Sequence, residues 1–229
     1  MAVYPICRAP SKSLDRPRRR RLGRLAAIVV ALPLLAACDD GASHEPKRAD
    51  PITVTGSQCL AMLDDRDIVY ERIDPVDGGN GCAIATAIEL RRSTVAFSRP
   101  ATLGCPLALR FSDFERRVLQ PMARRYFGQR VARIHHYGGY ACRGRSGDAS
   151  RLSEHAAGRA IDVAAFELAD GTVIRVEHDW KGHGRRARFL WNVARDACDV
   201  FHVVLGPNHD GAHQDHLHFD IGPWRLCEA

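Results

Sequence analysis

The stretch that decides the fold spans residues 153–162 and reads SEHAAGRAID. It sets His155 and Asp162 on either side of Gly158, whose freedom lets the backbone turn between them. Zinc in hydrolases usually takes three His or carboxylate ligands and leaves a fourth position for water. This stretch supplies one imidazole and one carboxylate, so the third ligand has to come from elsewhere in the chain.

A second stretch supplies that third ligand. Residues 213–220 read HQDHLHFD, with the character of a short strand. Alternate side chains of an extended strand share a face, so we expect His216 and His218 to point the same way. One imidazole can then bind the metal while the other faces the substrate. The two stretches together predict a zinc site.

Two helices are predicted. The first spans Ser112–Phe127, where Ser112 and Glu115 have the spacing of a capping box. Pro121 lies inside this segment and should kink or split the helix. The second spans Arg186–Val200 and has apolar side chains at helical spacing.

The strand candidates are short, rich in β-branched residues and bounded by glycines. Asp170 and Gly171 lie between two of them and predict a tight hairpin turn. Strands mixed with a few helices, without a regular βαβ rhythm, indicate an α+β domain with a central antiparallel sheet and flanking helices. The predicted strands are Val131–His136, Arg159–Phe166, Thr172–Glu177, Phe201–Leu205 and His216–Ile221.

The N-terminus has the pattern of an export signal. A basic run precedes the apolar run Leu25–Leu35, which is too short for a membrane span of about 20 residues. The run ends in LAAC, which resembles a bacterial lipobox with Cys38 as the lipidated residue. The alternative is an ordinary signal peptide cut after Ala37. Asp39 resembles an inner-membrane retention signal, so the expected location is the cell envelope, facing the periplasm from the inner membrane.

The chain therefore divides into three parts. Residues 1–37 form the signal peptide, residues 38–56 a flexible tether, and residues 57–229 the folded domain. Residues 1–37 have eight basic side chains and one acidic one, a net +7, whereas the whole chain has +6. The remainder therefore has −1, which gives no electrostatic reason to expect nucleic-acid binding.

Six cysteines lie in the predicted domain. An even number of cysteines in an exported chain indicates three disulfides, because that compartment is oxidising. The sequence leaves all 15 pairings open. The candidates are Cys59, Cys82, Cys105, Cys142, Cys198 and Cys227.

The motif S-x-H-x-x-G-x-A-x-D followed by H-x-H resembles the zinc peptidases related to lysostaphin, D-Ala-D-Ala peptidases and the hedgehog signalling domain (the LAS group). More closely, the region from about Cys59 to Cys227 resembles the bacterial extensin-like C-terminal domain family. That likeness depends on three segments: Gly139–Arg143, Phe201–Pro207 and His213–Asp220. It implies a LAS-type, disulfide-stabilised fold.

The resemblance also implies roles for single residues. His155, Asp162 and His218 correspond to the zinc ligands. His216 and Asp215 are competing candidates for the general base.

Two further positions carry implied roles. His213 corresponds to a histidine that lines the site. Arg143 corresponds, across a two-residue insertion, to an arginine that holds or polarises a substrate carbonyl or carboxylate.

An exported zinc hydrolase meets peptidoglycan first. We therefore expect a zinc metallopeptidase that cuts peptidoglycan stem-peptide cross-links, more as an endopeptidase than as a carboxypeptidase. In this reading peptidoglycan is the partner and an N-terminal lipid provides the contact with the membrane. The first alternative is a non-catalytic zinc-binding module that grips cell wall or a protein; a third is a His-rich structural protein that binds metal adventitiously.

Overall fold

The computed structural model describes Val54 and residues 56–229. The predicted signal peptide, Cys38, Asp39 and almost all of the predicted tether lie outside the described residues. The first helix of the described residues starts at Gly56. Among the described residues no helix is long and apolar enough to cross a membrane.

Five helices and thirteen strands follow one another in the described part. The helices are α1 (Gly56–Asp64), α2 (Cys105–Phe114), α3 (Gln120–Phe127), α4 (Val176–Asp179) and α5 (Arg185–Ala197). The strands are β1 (Val69–Arg72), β2 (Val76–Asp77), β3 (Ala83–Ile84), β4 (Ala87–Arg92), β5 (Ala96–Gly104), β6 (Val131–Gly138), β7 (Gly144–Arg145), β8 (Asp148–Leu152), β9 (Ala160–Leu168), β10 (Val173–Arg175), β11 (Val203–Leu205), β12 (Leu217–Asp220) and β13 (Leu226–Glu228).

A nine-stranded sheet forms the centre of an α+β fold. Its order is β1-β4-β5-β6-β9-β12-β11-β13, and β10 pairs with β9. The sheet is mixed rather than wholly antiparallel, because β5 pairs with β6 and β11 with β13 in parallel. The predicted hairpin at Asp170-Gly171 is confirmed, since it joins the antiparallel strands β9 and β10. The predicted strand Thr172–Glu177 is wrong in its last two residues, which begin α4.

The first predicted helix begins in the wrong place. The helical segment starts at Cys105, with Pro106 in its first turn, a position that suits proline because its missing N–H has no partner there. Ser112 is therefore fully buried inside the helix and caps nothing. The predicted interruption is present, because a π-helical turn (Glu115–Leu119) separates α2 from α3 just before Pro121.

Glu115 serves a different purpose from the predicted cap. Its buried carboxylate accepts hydrogen bonds from the Ser93 hydroxyl and from the backbone N–H of Thr94, the latter at 2.8 Å. Burial raises the pKa of Glu115 to about 7, although these hydrogen bonds act in the opposite direction. The side chain thus ties the turn between β4 and β5 to the helical layer.

Aromatic rings fill the space between α2 and the sheet. Phe111 and Phe114 of the helix pack on Phe201 and Phe219, and the last two rings stack at 4.8 Å between centroids. All four rings are almost completely shielded from solvent. Because Phe219 lies between two residues of the predicted metal stretch, this core also fixes the position of β12.

The three predicted disulfides are present. The pairs are Cys59–Cys105, Cys82–Cys142 and Cys198–Cys227. The first ties α1 to α2, and the last ties the end of α5 to β13. Each closes a loop of 29 to 60 residues and should stabilise the domain by about 3–4 kcal/mol through the unfolded state.

Candidate metal centre

Three side chains from the two predicted stretches meet at one point, and we call them the inner cluster: His155, Asp162 and His218. Asp162 on β9 lies directly opposite His218 on β12 in the antiparallel register. His155 reaches them from a short 3₁₀ turn, Glu154–Ala157. All three are buried or nearly so.

The distances within the inner cluster are short and similar. His155 Nε2 lies 3.2 Å from Asp162 Oδ1 and 3.2 Å from His218 Nδ1. His218 Nδ1 lies 2.9 Å from Asp162 Oδ1. A tetrahedral zinc ion with bonds of about 2.0 Å holds its ligand atoms about 3.3 Å apart. The three side chains therefore fit such an ion.

The outward ring nitrogens fix which atoms face inward. His155 Nδ1 lies 2.5 Å from the carbonyl oxygen of Gly139, which can only accept, so this nitrogen carries the proton. His218 Nε2 lies 3.2 Å from Asp220 Oδ2 and donates to that carboxylate. In the neutral rings, His155 Nε2 and His218 Nδ1 are then unprotonated. Two nitrogen lone pairs and a carboxylate oxygen converge, an arrangement that calls for a cation.

Without a metal ion the inner cluster takes up a proton instead, so His218 is protonated until an ion displaces that proton. Burial alone would raise the pKa of Asp162, but its hydrogen bonds and charge interactions with the two imidazoles outweigh burial and hold the pKa well below its usual range. Burial would lower the pKa of His218, but Asp162 and Asp220 outweigh it and raise the pKa to about 9. The site therefore retains an ionised carboxylate and attracts positive charge.

Local sequence explains how His155 is held. The Ser153 hydroxyl accepts a hydrogen bond from the His155 N–H at 3.4 Å at the start of the 3₁₀ turn. Gly158 ends that turn with φ of +61°, in the left-handed region. A Cβ atom at Gly158 would also lie 2.8 Å from the backbone nitrogen of Gly104. The S-x-H-x-x-G spacing thus has a geometric basis.

His216 and Asp215 are partners in the structure. His216 Nε2 lies 3.5 Å from Asp162 Oδ1, so this ring faces the inner cluster together with His218, as strand alternation predicts. Its Nδ1 lies 2.8 Å from Asp215 Oδ1. Asp215 also accepts a hydrogen bond from Tyr137, and its side chain is 45% exposed. The two residues predicted as rivals therefore form a dyad with His216 inside and Asp215 outside.

A groove with a volume of about 220 Å³ opens beside His218. His213 lines it near the inner cluster, with its ring 5.8 Å from that of His218. Arg143 lines it too, as an exposed side chain that donates to the carbonyl oxygen of Gly144. The structure therefore brings Arg143 to the same groove, without direct contact to the inner cluster. Trp224 and Arg145 also line the groove.

Several functional contacts were missing from the sequence interpretation. Asp220 orients His218, and the alternation that relates His216 to His218 extends to Asp220, so the H-x-H-x-D pattern could have indicated it. Glu154, the neighbour of His155 in the sequence, is buried between Arg145 and Arg159, to which it forms ion pairs of 3.3 and 2.8 Å.

A second group of possible ligands lies on the rim of the groove, and we call it the outer cluster: His209, Asp210 and His213. Each brings one ligand atom within 4.8 Å of the other two. His209 and His213 are half-buried, whereas the side chain of Asp210 is 40% exposed. Of this group the sequence interpretation singled out His213 alone, because the residues between 206 and 214 have no regular periodicity.

Comparison with known protein families identifies the family to which the chain belongs. The family model described as Extensin-like protein C-terminus matches residues 57–228. The chain belongs to this family. The extensin-like domain therefore spans nearly all the described residues, and both clusters and all three disulfides lie inside it. No curated protein and no solved structure is significantly similar to the chain.

Proposed function

We propose that the extensin-like domain binds a zinc ion at the inner cluster and hydrolyses peptide bonds in the stem-peptide cross-links of peptidoglycan. The observation that carries the proposal is the convergence of His155 Nε2, Asp162 Oδ1 and His218 Nδ1 at 2.9–3.2 Å. Both outward ring nitrogens already have acceptors, so the inward atoms are left for a cation.

The donor set favours zinc among common metals. Two imidazoles and one carboxylate are a usual protein ligand set in zinc hydrolases, whereas calcium and magnesium prefer oxygen ligands. When bound, zinc supplies Lewis acidity that polarises a carbonyl group and makes a water molecule more acidic. The same ligand positions are those of the LAS group, to which the S-x-H-x-x-G-x-A-x-D and H-x-H motifs are similar.

His216 is the proposed general base. Its Nδ1–H donates to Asp215, so Nε2 is the basic atom, and Nε2 is the nitrogen near Asp162. A base at this position takes a proton from water and returns it to the leaving amine. Asp215 is a positioning residue, because it fixes the tautomer of His216 and stabilises its protonated form.

The groove supports a peptide substrate that carries carboxylate groups. Arg143 and Arg145 supply positive charge along it, and guanidinium groups bind carboxylates with two parallel hydrogen bonds. Trp224 is 53% exposed at the rim, and the guanidinium carbons of Arg145 and Arg151 lie 5.9 and 5.0 Å from its ring centroid. An exposed ring held in this way offers a flat surface to a peptide or a sugar.

The N-terminal sequence supports an envelope location. A basic run, a short apolar run and LAAC at residues 35–38 favour export and lipid attachment at Cys38, and Asp39 favours retention at the inner membrane. We propose a periplasm-facing lipoprotein that contacts the membrane through its lipid and acts on the adjacent cell wall.

The second candidate function is a non-catalytic zinc-binding module that grips cell wall or a protein partner. The exposed Trp224 and its two arginines favour it, because such a surface suits binding as well as catalysis. The His216–Asp215 dyad favours the enzyme, since a module for binding alone has no use for an oriented base.

Cross-linked muropeptide dimers distinguish the two functions. The purified zinc-loaded protein should convert dimers to monomers, and a chelator should stop the reaction. His216→Ala should keep its zinc and lose about 10²–10⁴-fold in rate. His178→Ala is the matched control, because that imidazole is 66% exposed and does not line the groove.

Two results would count against the hydrolase. Product that forms regardless of the chelator would exclude the metal mechanism. Binding of dimers without any product, at full zinc loading, would favour the module.

A further inference from the structure

We propose that the outer cluster is a second divalent-cation site, for zinc or a similar first-row metal ion, weaker than the inner cluster. Its ligands are His209, Asp210 and His213. This inference stands apart from the hydrolase proposal, because it depends on ligands that the inner cluster does not use.

His209 is oriented as metal-binding histidines are. Its Nδ1 lies 2.6 Å from Glu228 Oε2 and donates to that carboxylate. Its Nε2 is then the unprotonated nitrogen, and it lies 3.6 Å from Asp210 Oδ2. A carboxylate behind the imidazole fixes the ring and raises its basicity, as in many zinc sites.

The position of Glu228 is itself enforced. Glu228 ends β13, which pairs in parallel with β11 so that Glu228 lies opposite Leu205. The neighbouring residue, Cys227, is bonded to Cys198 at the end of α5. Strand β13 is therefore held by its pairing with β11 and by a disulfide, and it places the Glu228 carboxylate next to His209.

Asp210 uses its two oxygens differently. Oδ1 accepts from the Ala212 and His213 N–H groups at 2.8 and 3.2 Å, which caps the short turn, and lies 2.6 Å from His213 Nδ1. Oδ2 faces His209 Nε2. Capping thus holds the carboxylate in place and leaves its second oxygen for an ion.

The residue types of the outer cluster determine which metal ion it binds best. Two imidazoles and a carboxylate suit zinc, cobalt or nickel better than calcium. Asp210 and Glu228 bring two negative charges to a small region whose imidazoles are uncharged when they bind metal, so a divalent cation balances them.

The proposed site belongs to the groove. The His213 ring lies 5.2 Å from the His216 ring and 5.8 Å from the His218 ring. An ion at the outer cluster would therefore add positive charge beside the inner cluster and attract an anionic group of a molecule in the groove.

Metal counting tests the proposal directly. Purified protein is stripped with a chelator and titrated with Zn²⁺ by calorimetry, and bound zinc is counted after equilibrium dialysis. Wild type should bind two ions per chain, one tightly and one weakly. His209→Gln should lose the weak ion, His155→Gln the tight one, and the exposed control His178→Gln neither.

Glu228→Gln provides a milder variant that leaves all ligands in place. It should weaken the second ion by about 10–100-fold and leave the first unchanged. Two ions in His209→Gln, an unaltered weak site in Glu228→Gln, or a single ion in the wild type that His209→Gln retains would overturn the proposal. A single weak ion in the wild type that is lost in His209→Gln but kept in His155→Gln would count against the hydrolase proposal and leave this one intact.

Discussion

The inner and outer clusters contain the same ligand types but differ in what holds them. The inner cluster takes two of its residues from paired strands, and its ligand atoms lie 2.9–3.2 Å apart in a buried position. The outer cluster lies on a loop and a 3₁₀ turn, His209 Nε2 and Asp210 Oδ2 are 3.6 Å apart, and its side chains are partly exposed. Strand pairing fixes a ligand set before an ion arrives, whereas a loop has to tighten around it, and this difference predicts a difference in affinity.

The largest expected effect is stabilisation by zinc through the inner cluster. At free zinc about 1,000 times the dissociation constant, the free energy of unfolding should rise by about 4 kcal/mol. His155→Gln should lose most of this gain, and His209→Gln only the smaller part due to the outer cluster. Urea unfolding with and without zinc measures it, with His178→Gln as the control. An equal rise in the free energy of unfolding in His155→Gln and wild type would contradict the expected difference in affinity between the two clusters.

The next effect is the loss of a disulfide, which should influence the outer cluster for one bridge and not for another. Replacing Cys198 and Cys227 by alanine should lower the free energy of unfolding by about 3–4 kcal/mol, and replacing Cys59 and Cys105 should cost a similar amount. Zinc titration should then show a lower zinc affinity of the outer cluster in the first variant only, because the disulfide at Cys227 holds the strand that contains Glu228. Equal outer-cluster affinities in both variants would contradict the idea that β13 positions His209 through Glu228.

A smaller effect, on zinc affinity, is expected from the carboxylate of Asp220 at the end of β12. Asp220→Asn should reduce zinc affinity at the inner cluster by about 10–100-fold, because Asp220 orients His218. Asp215→Asn is the matched control, since Asp215 contacts His216 instead. Competition with a chromophoric chelator measures both. If the two variants lost the same affinity, the assigned positions of these carboxylates would be wrong.

The smallest effect concerns the turn that carries His155. Ser153→Ala removes a long hydrogen bond of 3.4 Å and should cost about 1 kcal/mol of stability. Zinc affinity at the inner cluster should change little, because β9 and β12 still hold Asp162 and His218. A collapse of affinity in this variant, measured by calorimetry, would show that the turn rather than the strands organises the site.

The sequence was most informative where chemistry and strand periodicity coincide. Alternation along residues 216–220 predicted that His216 and His218 share a face, and both rings indeed approach Asp162. The choice of His155, Asp162 and His218 as ligands came from the resemblance of the two motifs to those of known zinc peptidases. The outer cluster could not be predicted in the same way, because Glu228 reaches His209 only through the pairing of β11 with β13, which local patterns do not encode.

The fold was predicted only in its second half. None of β1 to β5 was predicted, and the parallel pairings of β5 with β6 and β11 with β13 depend on long-range contacts. The helix that begins at Cys105 was placed at Ser112, because Ser112 and Glu115 satisfy the capping-box spacing. Pro106 in the first turn was the competing signal, and burial of Glu115 against Ser93 and Thr94 explains why that carboxylate is present.

A crystal structure of the zinc-loaded protein, with anomalous diffraction data collected at the zinc absorption edge, tests the central claim most directly. The strongest anomalous peak should lie about 2.0–2.2 Å from each of His155 Nε2, Asp162 Oδ1 and His218 Nδ1. Absence of a peak between these three atoms, in crystals grown with excess zinc, would contradict the claim that the inner cluster is the metal centre.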